Sequence, residues 1–332
     1  MPVLLGQLAG YVGHRTIAMG LRSGLIAALA GSPGATPDDL ADQLGLDHFY
    51  VTAWARSLHA AGIADLDGDG YRLAPHMATL LLDDASPGFV GGVFTMLEQP
   101  EVFTRFENNL ATGQRMWWDD TSPEWIAGVA GTGTPFYIRL VPGGLAQIPG
   151  LAERLGAGCR VVDTACGAGA GLERLAGHYP QCEIVGVDGD RHSVQQARAR
   201  IADAGLADRV EVVHSPLEDL ALDQPGTVVI NNISMHECRD IDRVTANVKA
   251  ALQPGGWFVI SDFPFPDTVE MLRTPPGRVM CGIQFFEAQI DDQLPPRSAY
   301  DGLLIRHGFT DLGTVTLTPM HALTWGRAPE PS

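Results

Sequence analysis

Lysine is almost missing from this 332-residue chain: Lys249 is the only one. That leaves a single amine for Schiff-base chemistry, which all but excludes it. Cysteine is sparse too. Cys159, Cys166, Cys182, Cys238 and Cys281 contain no C-x-x-C pair, and an odd count in so long a chain does not suggest a disulfide framework. Reduced thiols in a cytoplasmic setting are the expectation. Positive charge is scarce: 22 Lys and Arg face 39 Asp and Glu, for a net charge of −17. Such a surface repels phosphate backbones and anionic headgroups, so neither nucleic acid nor a membrane surface is an expected partner. Long apolar runs are lacking as well. The opening MPVLLGQLAGYVGHRTIAMGLRSG is interrupted by His14, Arg15 and Arg22, too early for a spanning helix, and no signal peptide is read there. The histidines, His214 and His307 among them, show no metal-ligand spacing, and no metal is expected.

Core-forming residues are plentiful. Hydrophobic residues make up 45% and charged ones 18%, enough for a large core, and the length suggests two domains. Residues 17–82 read as helical and small. IAMGLRSGLIAALAG runs to Gly31. TPDDLADQLGL offers Thr36 as N-cap, Pro37 at the first helical position and two acids in the first turn. In DHFYVTAWARSLHAAGI, Asp47 caps, and Val51, Trp54, Leu58 and Ala61 share a face. DGDG then joins two short alternating runs as a hairpin. Three helices and a hairpin in this order resemble a winged-helix module. Its recognition helix carries Arg56 and His59 as possible cations, whereas its hairpin carries Asp65, Asp67 and Asp69. Acids at the phosphate-facing tip oppose DNA binding, so dimerisation is the better role.

Residues 83–150 place Trp117, Trp118, Trp125, Phe136 and Tyr137 among glycines and prolines. Two readings stay open here: a connecting helix pair with core aromatics, or a lid whose aromatics, Trp117, Trp118, Phe136 and Tyr137, grip a flat substrate.

From residue 151 strands and helices alternate. CRVVDTA, CEIVGVDGD, RVEVVHSP, TVVINNISM and WFVISDF read as strands with helices between most of them, which predicts a doubly wound, Rossmann-like α/β sheet covered on both faces. Ligands bind such sheets beyond the carboxyl ends of the strands. VVDTACGAGAG ends the first strand in a glycine loop. A dinucleotide fingerprint fails there, because Leu172 stands where the third glycine belongs and Gly171 is one position early. Asp163 at the strand end would repel a pyrophosphate but suits a cationic cofactor without phosphate, such as S-adenosylmethionine. Asp188 closes the second strand, 19 residues after Gly169, where it can accept both ribose hydroxyls.

These motifs, with ALQPGGWFVISDF and the winged-helix segment, resemble class I S-adenosylmethionine-dependent methyltransferases. The likeness is nearest to two-domain small-molecule O-methyltransferases with an N-terminal winged-helix dimerisation domain. It implies a winged-helix domain over 1–90, a helical linker or lid over 91–150 and a catalytic domain over 151–332. It implies cofactor contacts at Asp163, Ala165, Gly167, Gly169, Asp188 and Gly189, at Pro216 and Leu217, and at Asn231 and Asn232. Pro216 stands where many members have Asp, so the adenine edge lacks its usual acceptor unless Glu218 or Asp219 compensates. In NNISMHECRD, His236 falls on the family's catalytic histidine, and Asp262 on the acid that orients it. A second orienting glutamate is expected near Pro296, where no acid occurs. The stretch VEMLRTPPGRVMCGIQFFEAQ is the candidate substrate wall, with Met280, Gln284, Phe285 and Phe286. The implied function is methyl transfer, foremost to oxygen, onto a small aromatic or apolar secondary metabolite by a homodimer, with His236 as general base. The alternatives are a relative that uses the sulfonium only as a fixed charge, for cyclisation, dehydration or decarboxylation, and a winged-helix regulator that senses a small molecule.

Overall fold

A computed structural model describes residues 2–117, 123–292 and 294–330. The chain divides into two units, Met1–Gln99 and Pro100–Ser332.

The first unit contains α1 (Pro2–Ser23), α2 (Leu25–Gly31), α3 (Pro37–Leu44), α4 (His48–Ala60), the hairpin β1 (Ala64–Asp67) and β2 (Gly70–Leu73), and the short helices α5 (Met77–Leu82) and α6 (Gly91–Met96). Thr36 forms the N-terminal cap of α3 reciprocally: its hydroxyl accepts from the Asp39 amide and the Asp39 carboxylate accepts from the Thr36 amide. Asp47 caps α4 through the Tyr50 amide at 3.0 Å. Val51, Trp54 and Leu58 are buried as their spacing predicts, but Ala61 lies past the helix end and Ala55 packs instead. The first helical segment also differs from the sequence reading. It begins at Pro2 rather than near residue 17 and breaks at Gly24. Asp65 is half-buried on β1, while Asp67 and Asp69 are exposed at the hairpin turn.

The second unit opens with α7 (Phe103–Asn108), α8 (Pro123–Arg139) and α9 (Leu151–Gly156). It continues through β3 (Arg160–Thr164), α10 (Ala170–His178), β4 (Glu183–Asp188), α11 (Arg191–Asp203) and β5 (Val210–His214). Then come β6 (Gly226–Asn232), α12 (Ile241–Ala250), β7 (Leu252–Asp262), α13 (Pro275–Glu287), α14 (Arg297–Arg306), β8 (Thr310–Thr318) and β9 (His321–Arg327). The seven strands form one sheet in the order β5-β4-β3-β6-β7-β9-β8, parallel except for β9, which runs antiparallel to β7 and β8. The chain winds outward from β3 through β4 to β5, then returns to start again at β6. The switch point therefore lies between β3 and β6, where a ligand crevice opens.

Strand alternation splits the core into two layers. Val161, Ile184, Val228, Ile230 and Val259 face one side, packed against Leu172 and Leu175 of α10. Val162, Val185, Val229, Phe258 and Ile260 face the other, against Val244 and Val248 of α12 and Leu303 and Leu304 of α14. Burial on both faces explains why these strands read as continuous apolar runs. Among the described residues, no helix is long and apolar enough to cross a membrane.

Candidate active site

At the switch point Asp163 ends its strand fully buried, and the Tyr137 hydroxyl donates to both its oxygens, at 3.1 and 2.9 Å. Burial pushes its carboxyl up to about 7, partly offset by the Tyr137 bond. This corrects the sequence picture of an open, fixed negative charge at the loop: Asp163 is covered, and its discrimination against phosphate is correspondingly weaker. Tyr137, expected in a substrate lid, is the covering group. A Cβ at Gly171 would lie 2.1 Å from the Tyr137 ring. The early glycine is thus the slot for this ring rather than a displaced dinucleotide glycine.

The loop beyond β3 turns on left-handed residues, Ala165 at φ 58°, Gly167 at φ 53° and Gly169 at φ 83°. Ala165 adopts without strain relief what glycine adopts freely. Asp188 holds this loop from the next strand. Its carboxylate accepts from the Gly167 amide at 2.8 Å and from the Asp190 amide at 2.8 Å. Burial lifts Asp188 to about 6, opposed by these two amides. Beside Gly167, where a Cβ would meet nothing within 4 Å, there is room for a ligand against the backbone. Gly189 packs against Pro216, with space for a Cβ only at 3.4 Å. Leu217 is buried in the second core layer. Asp219 and Glu218, the possible substitutes at the adenine edge, are turned elsewhere: Asp219 accepts from Arg243 at 2.7 Å, and Glu218 lies 3.5 Å from the Asp240 amide.

Asn231 and Asn232 close β6, and both are buried. Asn231 donates to Thr164, but its Oδ1 has no hydrogen-bond partner; Asn232 Oδ1 accepts from Ser261 at 2.6 Å, leaving its Nδ2 unpaired. A chain of bonds that the sequence did not reveal stands behind Asn232. Arg139 Nε donates to His321 Nδ1 at 3.1 Å, which leaves the proton on Nε2 to reach Ser261 at 2.7 Å. Burial, with Arg139 adding, keeps His321 neutral, its pKa lowered to about 3.

Ile233 then bends the chain at φ 55°, an unusual conformation for a β-branched residue. The bend delivers His236, only 4% exposed, against the end of β7. Asp262 there accepts from His236 Nδ1 at 2.8 Å and is itself fixed by the Tyr300 hydroxyl at 2.6 Å and the Phe263 amide at 2.8 Å. His236 Nε2 has no hydrogen-bond partner. It faces Glu287 at 3.7 Å and Glu237 at 3.9 Å. Burial opposes charge on the imidazole, but Asp262 and then Glu287 outweigh it and raise the His236 pKa well above its ordinary value. Glu287, buried at the end of α13, is the acid that sequence reasoning missed; it sought one near Pro296, which instead bridges to Phe265 ahead of α14. Among the described residues His236, Glu237 and Glu287 are also the one group whose ligand atoms, all within 4.8 Å of one another, could meet on a cation.

The substrate candidates are dispersed. Phe136 stacks edge-on with Phe263, which meets His236 at 5.7 Å, so it lines the histidine's aromatic wall. Gln284 and Phe285 line a cavity of about 360 Å³ with Phe106 and Asp292. Met280, by contrast, is 2% exposed and belongs to the packed interior, as does Phe286 beside Trp125. Trp117 stacks under Arg239, whose guanidinium lies 3.0 Å from the ring centroid. Trp118 lies outside the described residues.

A doubly wound sheet with glycine loop and acids at its switch point, and an antiparallel closing pair, defines the class I methyltransferase fold. Residues 161–256 match the family model of a methyltransferase domain, and residues 12–82 match an Rv2258c-like winged HTH domain. The chain thus joins a methyltransferase domain to an N-terminal winged helix-turn-helix domain. Among curated relatives it is 32% identical over 130 residues to a trans-aconitate 2-methyltransferase of Variovorax paradoxus, covering 38% of this chain and 44% of that protein. It is 31% identical over 138 residues to a carboxy-S-adenosyl-L-methionine synthase of Klebsiella pneumoniae, covering 39% and 56%. The chain spans about half the length of these two relatives. Solved structures match end to end. An O-methyltransferase family protein from Burkholderia thailandensis superposes with a TM-score of 0.73 at 19% identity, over 100% of this chain and 99% of that one. Human N-acetylserotonin methyltransferase, solved in complex with SAM, gives 0.74 at 14% identity, over 99% and 97%. At such identities the likeness carries the fold.

Proposed function

We propose that this protein is an S-adenosylmethionine-dependent methyltransferase that methylates an oxygen of a small aromatic or apolar molecule, with His236 as general base. One observation carries the reading: Asp188, at the switch point, draws in the Gly167 amide and keeps further lone pairs for ribose hydroxyls. The space beside Gly167 and the unpaired Asn231 and Asn232 atoms fit a polar cofactor lying across the strand ends.

When bound, the cofactor supplies a methyl group on a sulfonium, so transfer leaves a neutral thioether and the acceptor must lose a proton. His236 is built to take it. The carboxylate on Nδ1 fixes the tautomer with the lone pair on Nε2, the nitrogen left without a partner. Tyr300 and the Phe263 amide keep Asp262 from following the ring, so the imidazolium that forms stays paired. Proximity and alignment supply the rest of the rate.

Homodimerisation through the winged-helix unit is part of this proposal, because α1 leaves Val3, Leu4, Leu8, Tyr11 and Val12 exposed. DNA is not a proposed partner: Asp67 and Asp69 stand exposed where a wing would approach phosphates.

Calorimetric titration with S-adenosylmethionine and its demethylated product tests the cofactor; absence of heat for both at millimolar ligand would end the reading. Because one relative is a carboxy-S-adenosyl-L-methionine synthase, methyl-labelled cofactor must also be followed. Label appearing on the acceptor supports transfer, whereas label retained on the cofactor during turnover favours the fixed-charge alternative. Asp262→Asn gives a second check. Asp262 raises the His236 pKa, and only the unprotonated ring accepts a proton, so in the wild type kcat/KM rises with pH through that raised value. Removing the charge lowers the His236 pKa, so the acid limb moves to lower pH while the plateau drops on the order of 100-fold. An unmoved limb would mean that another group sets it.

A further inference from the structure

Resting on the methyltransferase reading, we propose that the acceptor enters as the cation of a vicinal amino alcohol, its ammonium seated between Glu287 and Glu237 and its hydroxyl, on the neighbouring carbon, against His236 Nε2. The acids around this histidine outnumber the bases. Asp262 presses on Nδ1, Glu287 and Glu237 face Nε2 at 3.7 and 3.9 Å, and Asp292 completes the group. Glu287 is 4% exposed and Asp292 6%. Both Glu287 Oε2 and His236 Nε2 are buried without a hydrogen-bond partner. One imidazolium balances one carboxylate, and each further buried carboxylate is costly unless it takes a proton or meets a cation.

The separations point to the second solution. At 3.7 and 3.9 Å the carboxylates stand too far from Nε2 for a direct hydrogen bond, yet their oxygens and Nε2 surround one point, all within 4.8 Å of one another. An N–H donor at that point would reach both. Arg239 acts on Asp292 and is stacked on Trp117, and among the described residues no arginine or lysine pairs with Glu287 or Glu237. Phe263 and Phe136 bring aromatic edges to the same place, which suits an aromatic acceptor.

The arrangement also links binding to protons. Burial raises the Glu237 carboxyl and that of Asp292, the latter to about 8, which favours protons on them while the site is empty. A cation displaces those protons and, by repulsion, lowers the His236 pKa toward that of a free base. The other titratable groups facing the cluster, Cys238 and Tyr300, stay protonated because burial raises both.

The test uses the intact protein saturated with demethylated cofactor and three probes of one shape: 2-amino-1-phenylethanol, mandelamide and mandelate. The amino alcohol is expected to bind on the order of 10- to 100-fold tighter than the amide, as for a charge-assisted contact, with the carboxylate weakest. Calorimetry in two buffers of different ionisation heat should show net proton release. Glu287→Gln should lose the preference while keeping its fold by circular dichroism and its affinity for the demethylated cofactor; Glu287→Asp should restore part of it. Equal or reversed preference, or no probe binding at millimolar concentration, would overturn the inference. So would Zn²⁺ or Mn²⁺ stabilising the wild type but not Glu287→Gln, with the amino alcohol inert, because the cluster would then be a metal site. Failure of the demethylated cofactor to bind is a separate outcome and sinks the methyltransferase reading instead.

Discussion

His236→Ala lowers kcat/KM for the acceptor by about 10²- to 10⁴-fold, the range a positioned general base contributes, and leaves affinity for the cofactor unchanged. The split follows from the architecture. His236 hangs from the turn after β6 and is braced by Asp262 of β7, whereas Asp188 and the Gly167 loop belong to β4 and the segment after β3. No hydrogen bond joins the two groups among the described residues, so removing the imidazole leaves the cofactor crevice as it was. His236→Gln keeps a hydrogen-bonding side chain but cannot accept the proton, and it should fall with alanine. Single-turnover rates and calorimetric titration on each variant measure the two effects apart. Equal turnover in wild type and His236→Ala across pH would show that the acceptor ionises unaided, and the base would have to be abandoned.

Much of this frame was legible because it rests on local rules. Strands β3, β4, β6 and β7 read as apolar runs since both faces are covered, and the Asp163 and Asp188 ends follow directly from where those runs stop. Thr36, Asp47 and the DGDG turn announce their own geometry through capping and turn chemistry. What stayed hidden depends on distant pieces meeting. Glu287 lies on α13, and only folding carries it to His236. Tyr137 had looked like a pocket aromatic, but it reaches Asp163 because Gly171 leaves space for its ring. His321 sits on β9, part of a closing pair the sequence reading stopped short of, although TVTLT and HALTW alternate at strand period. Its link through Ser261 to Asn232 exists only because β9 pairs with β7 in that register, Ser261 beside Leu323.

Asp188→Ala should cost more than any other change at the cofactor crevice: about 10²- to 10⁴-fold in affinity for S-adenosylmethionine, together with a lower Tm. Two terms combine. The ribose loses a carboxylate acceptor worth roughly 1.5–3 kcal/mol per charged hydrogen bond. The Gly167 and Asp190 amides, which bond to that carboxylate at 2.8 Å each, lose their partner, so the loop is no longer held in its left-handed turn. Asp188→Asn separates the terms, since its amide oxygen can still accept from one backbone N–H but carries no charge. It should retain most of the stability and lose most of the affinity. The same carboxyl predicts a pH dependence. Burial raises it to about 6, and only the ionised form accepts both ribose protons, so cofactor affinity should hold above that value and weaken as pH falls through it. Calorimetric titration with the demethylated cofactor across that interval would check the sign. If Asp188→Ala bound this ligand as the wild type does, the ribose must lie elsewhere, and the crevice between β3 and β6 would need a different occupant.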